Sequence, residues 1–265
     1  MKKIIISLFI ACTLVSNTFA AKSLKDLAKN AAKKVLTASG QKAEEEKVVL
    51  TPETALYSFL KGTESDLSDE YLAYAQVIEG KNYKQFHNDP FEWEDKFSQY
   101  KKDFEEKVKN ANLDQVYVIS TTIEFGDYDF TEQGYKVSIN ENMFFPMDSV
   151  YYTTDDSSQP DSDTYFRNGF GLKIQDLEKY TFIPMEKNAA KTFLQGRKNS
   201  YGDIRKDIVI SFSYKLAAFD SDEYNAFAAS IANQNKIPLV GIIQGPIEVY
   251  DRYDNFKKIG ELIIK

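Results

Sequence analysis

Histidine, cysteine and tryptophan are almost missing from this 265-residue chain, which has one of each. A zinc or iron–sulfur centre needs several His or Cys ligands, so that class of metalloenzyme is excluded. Basic residues are also short: 33 Lys and Arg stand against 40 Asp and Glu, leaving a formal charge of −7. That balance argues against nucleic acid as the partner. The patterns G-x-S-x-G, H-E-x-x-H and the P-loop do not occur, which removes the nucleophile-elbow, zinc-protease and P-loop nucleotide enzymes. No cofactor is expected. Aromatic residues are plentiful, with 19 Phe and 17 Tyr within a 43% hydrophobic content. A chain of this length and composition builds a core without sulfur or metal staples.

The one long apolar run lies at the start. Lys2 and Lys3 precede apolar residues 4–15, and Thr18 and Ala20 place small side chains at −3 and −1 of a cut after Ala20. This is the pattern of a signal peptide, too short to span a bilayer. Phe9-Ile10-Ala11-Cys12 resembles the lipobox of bacterial lipoproteins, but Phe9 stands where Leu is usual and the apolar run continues past Cys12. Cleavage after Ala20 is therefore expected over lipidation, and the mature chain then has no cysteine. The chain closes on Lys265 without a hydrophobic tail or sorting pattern. The expectation is an exported, disulfide-free protein, periplasmic or secreted.

Three parts follow from composition. Residues 1–20 are the signal peptide. Residues 21–47 are a basic amphipathic helix and a linker. Within them, residues 22–36 carry five lysines against Asp26, which suggests a weak contact with an anionic membrane surface. Residues 48–265 read as one α+β domain, helical over 50–111 and β-rich over 115–265.

In the helical part, Thr51-Pro52 and Asp89-Pro90 are start signals, and Glu92 is placed to close a capping box. Ser68 is read as the cap of a short helix carrying Tyr71, Leu72, Ala75 and Ile78. Trp93, Phe97, Tyr100, Phe104 and Val108 form one long helical stripe. In the β-rich part, residues 115–125 and 135–139 alternate as an antiparallel pair joined through Gly126–Gly134. Residues 140–163 read as a long polar loop. Strands are expected at 180–183, 207–216, 237–243, 247–250 and 261–264, and helices at 185–195 and from Asp220. The 207–216 strand is expected to have one buried and one wet face. The fold class is thus α+β: N-terminal helices followed by a mainly antiparallel β-sheet with two inserted helices.

Candidate chemistry is sparse. His87 is the only imidazole, and its place before a helix cap reads as an exposed loop position. Glu124, Asp127 and Asp129 project at a hairpin end, where a carboxylate-dependent hydrolase would need a facing pair. The acids of residues 155–163 suit calcium in type but lack the Gly and closing Glu of an EF-hand loop. Phe144, Phe145, Tyr151 and Tyr152 flank that acidic stretch, and rings in a long loop are suited to stack on sugars or anchor a partner. These four residues are the expected binding site. The functional expectation is a non-catalytic binding module for a macromolecule or glycan of the cell envelope. Two alternatives stand beside it: a hydrolase of envelope polysaccharide and a small-ligand carrier with an aromatic-lined cavity.

Overall fold

The structure, a computed structural model, describes residues 48–265 except 69, 80–81, 149, 153–163 and 167–168. The expected signal peptide, the basic 22–36 segment and the acidic 155–163 stretch lie outside the described residues.

Among the described residues, four helices precede the first strand: α1 (Pro52–Gly62), α2 (Tyr71–Glu79), α3 (Tyr83–His87) and α4 (Pro90–Asn110). Thr51 caps α1 by accepting from the Thr54 amide at 3.1 Å, with Pro52 in the first turn. Asp89 caps α4 by accepting from Phe91 and Glu92 at 3.0 and 3.1 Å. The capping box is not closed by Glu92, because the Asp89 amide donates to the Phe86 carbonyl instead. Helix α2 begins at Tyr71, past Ser68, whose amide donates to Asp66. The stripe on α4 divides in use. Phe104 and Val108 are buried, whereas Trp93 stacks on Phe97 and meets the rings of Tyr83 and His87 nearer the surface.

The strands are β1 (Tyr117–Asp129), β2 (Gly134–Val137), β3 (Phe145–Met147), β4 (Val150–Tyr152), β5 (Thr164–Phe166), β6 (Phe170–Ile174), β7 (Tyr180–Pro184), β8 (Asp207–Leu216), β9 (Ile237–Asp251) and β10 (Lys257–Ile264). Helix α5 (Lys187–Gln195) follows β7, and α6 (Asp222–Ile231), capped by Ser221, follows β8. The main sheet runs β10-β7-β2-β1-β8-β9-β6-β3, and β10 also pairs with β9. Six antiparallel strands therefore close into a barrel, with β6 and β3 as a flap on the first half of β9. The α+β class with a mainly antiparallel sheet is what the molecule has. Among the described residues, β6 and β9 pair in parallel, and Val48 makes an isolated parallel bridge to Tyr117.

Strand β9 is continuous where the sequence pattern suggested two strands. At its middle, Gly245 takes φ +88°, and the pairing with β8 shifts between Ser211 and Ser213. Pro246 has no N–H to give a ladder, so the strand bends there and exchanges β6 for β10. The barrel interior is filled by Tyr117, Phe125, Tyr135, Ile208, Ile210, Phe212, Tyr214, Ile247 and Val249, all buried. A six-stranded barrel is narrow enough for side chains to fill it. The face of β8 expected to be wet is instead covered at Ser211 and Ser213, which are 7% and 8% exposed. Ser120 and Ser211 join across that face at 2.9 Å. Helix α1 covers one end of the barrel through Leu56 and Leu60, and α5 covers the other with Phe193 against Phe125 and Tyr135.

Candidate functional site

A 560 Å³ groove opens between α1 and α4, lined among others by Glu53, Tyr57, Asp103, Glu106, Lys107 and Asn110. Both walls owe their geometry to helical spacing. Glu53 and Tyr57 are four apart on α1, and Asp103 and Lys107 four apart on α4, so each pair shares a helix face. The Tyr57 hydroxyl donates to Glu53 Oε1 at 2.9 Å. Behind the groove, Tyr74 of α2 donates to Asp103 and accepts from Lys107 Nζ at 2.8 Å. The Lys107 ammonium sits 3.4 Å from Asp103 and 4.0 Å from Glu53. Lys61 ties the helices together, donating to the carbonyls of Lys109 and Ala111 at 2.9 and 2.6 Å.

The titrations displaced here belong to tyrosines. Burial, then the charge of Glu53, raises Tyr57. Burial, then the hydrogen bond to Asp103, raises Tyr74. Both hydroxyls therefore stay protonated near neutrality and act as donors. One ammonium stands between the two carboxylates, in the space where a hydrolase would hold its scissile bond.

The sequence-derived candidates are dispersed. Phe144 is half-buried, lies against Phe227 at 6.1 Å, and occupies the space left open by Gly171. Phe145, in β3, packs on the main core. Tyr151 and Tyr152 lie in β4, which pairs with β5 in a hairpin beside α2. Their side chains lie outside the described residues. Of the hairpin acids, Asp127 pairs with Lys206 at 2.9 Å. Asp129 accepts from the amides of Thr131 and Glu132 and meets Lys136, whose contact holds its carboxyl below the usual range. Glu124 is exposed, opposite Asp207 in the ladder. His87 lies against Tyr83 and Trp93. Among the described residues, no group of three or more His, Cys, Asp and Glu is placed to hold a metal ion.

Residues 66–196 match the family model of a domain of unknown function, DUF4852. The match covers just under half of the chain and runs from before α2 to the end of α5. It includes three barrel strands, β1, β2 and β7, and stops before β8, β9 and β10. No curated protein and no solved structure matches the chain.

Sequence reasoning missed the groove because its walls come from helices about fifty positions apart. A signal was present in the acid–Tyr and acid–Lys pairs at i, i+4, but it was hidden among 40 acidic residues.

Proposed function

We propose that this chain is an exported, non-catalytic binding module of the cell envelope, and that the groove between α1 and α4 holds its partner. The observation that carries the reading is the Lys107 bridge between Glu53 and Asp103. It places a donor beside two acceptors and puts a cation between two carboxylates that a hydrolase would need free. Three acids against one lysine suit a partner rich in hydroxyl and amino groups, as an envelope glycan is. The filled barrel favours this reading over a small-ligand carrier. The signal pattern of residues 1–20 supports export, and among the described residues no helix is long and apolar enough to cross a membrane.

The test is retention of the protein on immobilised envelope glycan. Glu106→Gln with Asn110→Ala should weaken retention at least tenfold while leaving the thermal midpoint unchanged, because both side chains are exposed. Tyr151→Ser with Tyr152→Ser is the comparison arm for the aromatic segment. Retention lost in that arm alone moves the site to the β4–β5 hairpin. Release of reducing ends by the wild type, abolished by Asp103→Asn, would replace binding with hydrolysis.

A further inference from the structure

The barrel topology brings three connections to one end: the β1–β2 turn, residues 196–206 after α5, and the β9–β10 turn. Each shows a ring to solvent. Phe130 is 71% exposed, Tyr201 90% and Tyr253 40%, with exposed Ile204 near Tyr201 in the chain. Several apolar side chains shown together on separate loops mark a contact surface rather than leftover packing.

The loop that carries Tyr201 is shaped although it buries little. Lys198 and Ile204 form a bridge, and Asn199 Oδ1 accepts from the amides of Tyr201 and Asp203, each at 2.9 Å. Gly202 supplies the φ of +88° that the turn requires. The ring is held out at the tip.

Charge gathers at the same end. The chain as a whole is at −7, yet residues 187–206 hold Lys187, Lys191, Arg197, Lys198, Arg205 and Lys206 against Asp203, and the acids at the other two connections, Asp127, Asp129, Glu132 and Asp254, are paired with Lys206, Lys136, Lys265 and Lys257. Arg197 is buried and Lys206 pairs with Asp127. The other four cations are exposed. Two of them sit by rings of different loops: Lys187 is 6.0 Å from the Phe130 ring and Arg205 is 4.8 Å from that of Tyr253.

Aromatic tips settle at headgroup depth in a bilayer, and lysine and arginine around them meet anionic phosphates. We propose that this end of the barrel docks on an anionic phospholipid surface, with Tyr201 and Phe130 entering the headgroup layer. An anionic glycan would satisfy the cations but gain little from the aliphatic Ile204. This surface is separate from the groove, so each proposal stands or fails alone.

The test is flotation of the purified full chain with vesicles of phosphatidylglycerol and phosphatidylcholine, and with phosphatidylcholine alone. Binding is expected only to the anionic vesicles. Lys198→Gln and Arg205→Gln should each lower partitioning about fivefold at low salt. Tyr201→Ser should lower it with no change in thermal midpoint, and Tyr201→Trp should restore it. The Trp variant should also gain quenching by brominated acyl chains beyond that of the parent, whose one tryptophan is Trp93. Quenching equal to the parent's overturns the proposal. So does vesicle binding that is lost only when the lysines of residues 22–36 are neutralised. Retention on a soluble anionic polysaccharide without vesicle binding also overturns it, as does a Tyr201-dependent dimer in place of vesicle binding.

Discussion

Arg197 is the most consequential single side chain. It is fully buried, and its guanidinium donates to the carbonyls of Arg205 and Asp207 at 2.8 and 2.7 Å and to Asp251 Oδ1 at 2.7 Å. Phe193, Tyr253 and Phe125 surround it at 4.4, 5.1 and 5.5 Å. It joins α5, the 196–206 connection, β8 and β9 at one barrel end. Arg197→Met leaves Asp251 without its cation, only the Tyr253 amide still donating to Oδ1, and removes the guanidinium from two carbonyls; denaturant unfolding should show a loss of about 3–5 kcal/mol. Arg197→Met with Asp251→Asn should recover part of it, because the uncompensated carboxylate is then gone. Tyr117 behaves oppositely. Its hydroxyl and that of Ser58 are buried side by side without a well-formed hydrogen bond. Tyr117→Phe should therefore shift stability by less than about 1 kcal/mol, whereas Phe104→Ala, which empties a fully buried site, should cost about 3–5 kcal/mol. Nothing local distinguishes Arg197 from its exposed basic neighbours in the sequence, because its carboxylate partner Asp251 and the rings of Phe125 and Tyr253 come from distant parts of the chain.

Helices and strands were legible where short-range chemistry sets them. Thr51-Pro52 and Asp89-Pro90 start helices because a side-chain oxygen satisfies free amides and proline needs no donor there. Asp89→Ala should cost about 1 kcal/mol in thermal unfolding. The alternation of residues 207–216 marked β8 correctly, but its second face was misjudged. Ser211 and Ser213 lie among Val118 of β1 and Gln244, Pro246 and Glu248 of β9, neighbours that alternation within β8 does not encode. Strand β6 escaped notice: it is five residues long, contains Gly171, and is stabilised by a parallel pairing with distant β9. Strand β9 was split in two at Gly245-Pro246 because a turn and a bulge share the same residues. The glycines separate the two causes. At Gly245 a Cβ meets nothing within 4 Å, so Gly245→Ala should cost only the left-handed strain, about 1–2 kcal/mol. At Gly134 a Cβ runs into the Ile183 carbonyl and the Phe182 ring. Gly134→Ala should therefore lower the unfolding midpoint further than Gly245→Ala does.

Taken whole, the molecule is a ring of strands that no part of the chain closes alone. Residues 66–196 contain β1, β2 and β7 but lack the three strands that complete the barrel. A fragment of those residues should show no cooperative unfolding by circular dichroism, in contrast to the full chain. The tyrosine-rich interior also sets the alkaline limit. Burial favours the neutral phenol, so Tyr57 and Tyr214 titrate above their ordinary 10.0 when folded. Burial, then nearby Tyr128, pushes Tyr135 up to about 12. Below pH 10 both folded and unfolded chains keep these protons, and the stabilisation is complete. Above it the unfolded chain releases protons that the folded chain retains, so stability falls as pH rises toward the folded values. Urea midpoints should hold steady to about pH 10 and then decline, with Tyr57 and Tyr214 each adding a slope of about 1.4 kcal/mol per pH unit. Tyr57→Phe should flatten the decline.

Class, caps, the strongest strand and the reliance on aromatic packing could be read from the residue order, because each depends on neighbours within a turn or two. Closure of the barrel, burial of Arg197 and assembly of the groove could not. Each joins side chains about fifty or more positions apart, and their meeting depends on strand register and helix docking that local pattern leaves open. The same holds for the surroundings of Phe144: the packing of α6 on β9 places Phe227 and Ile231 beside it.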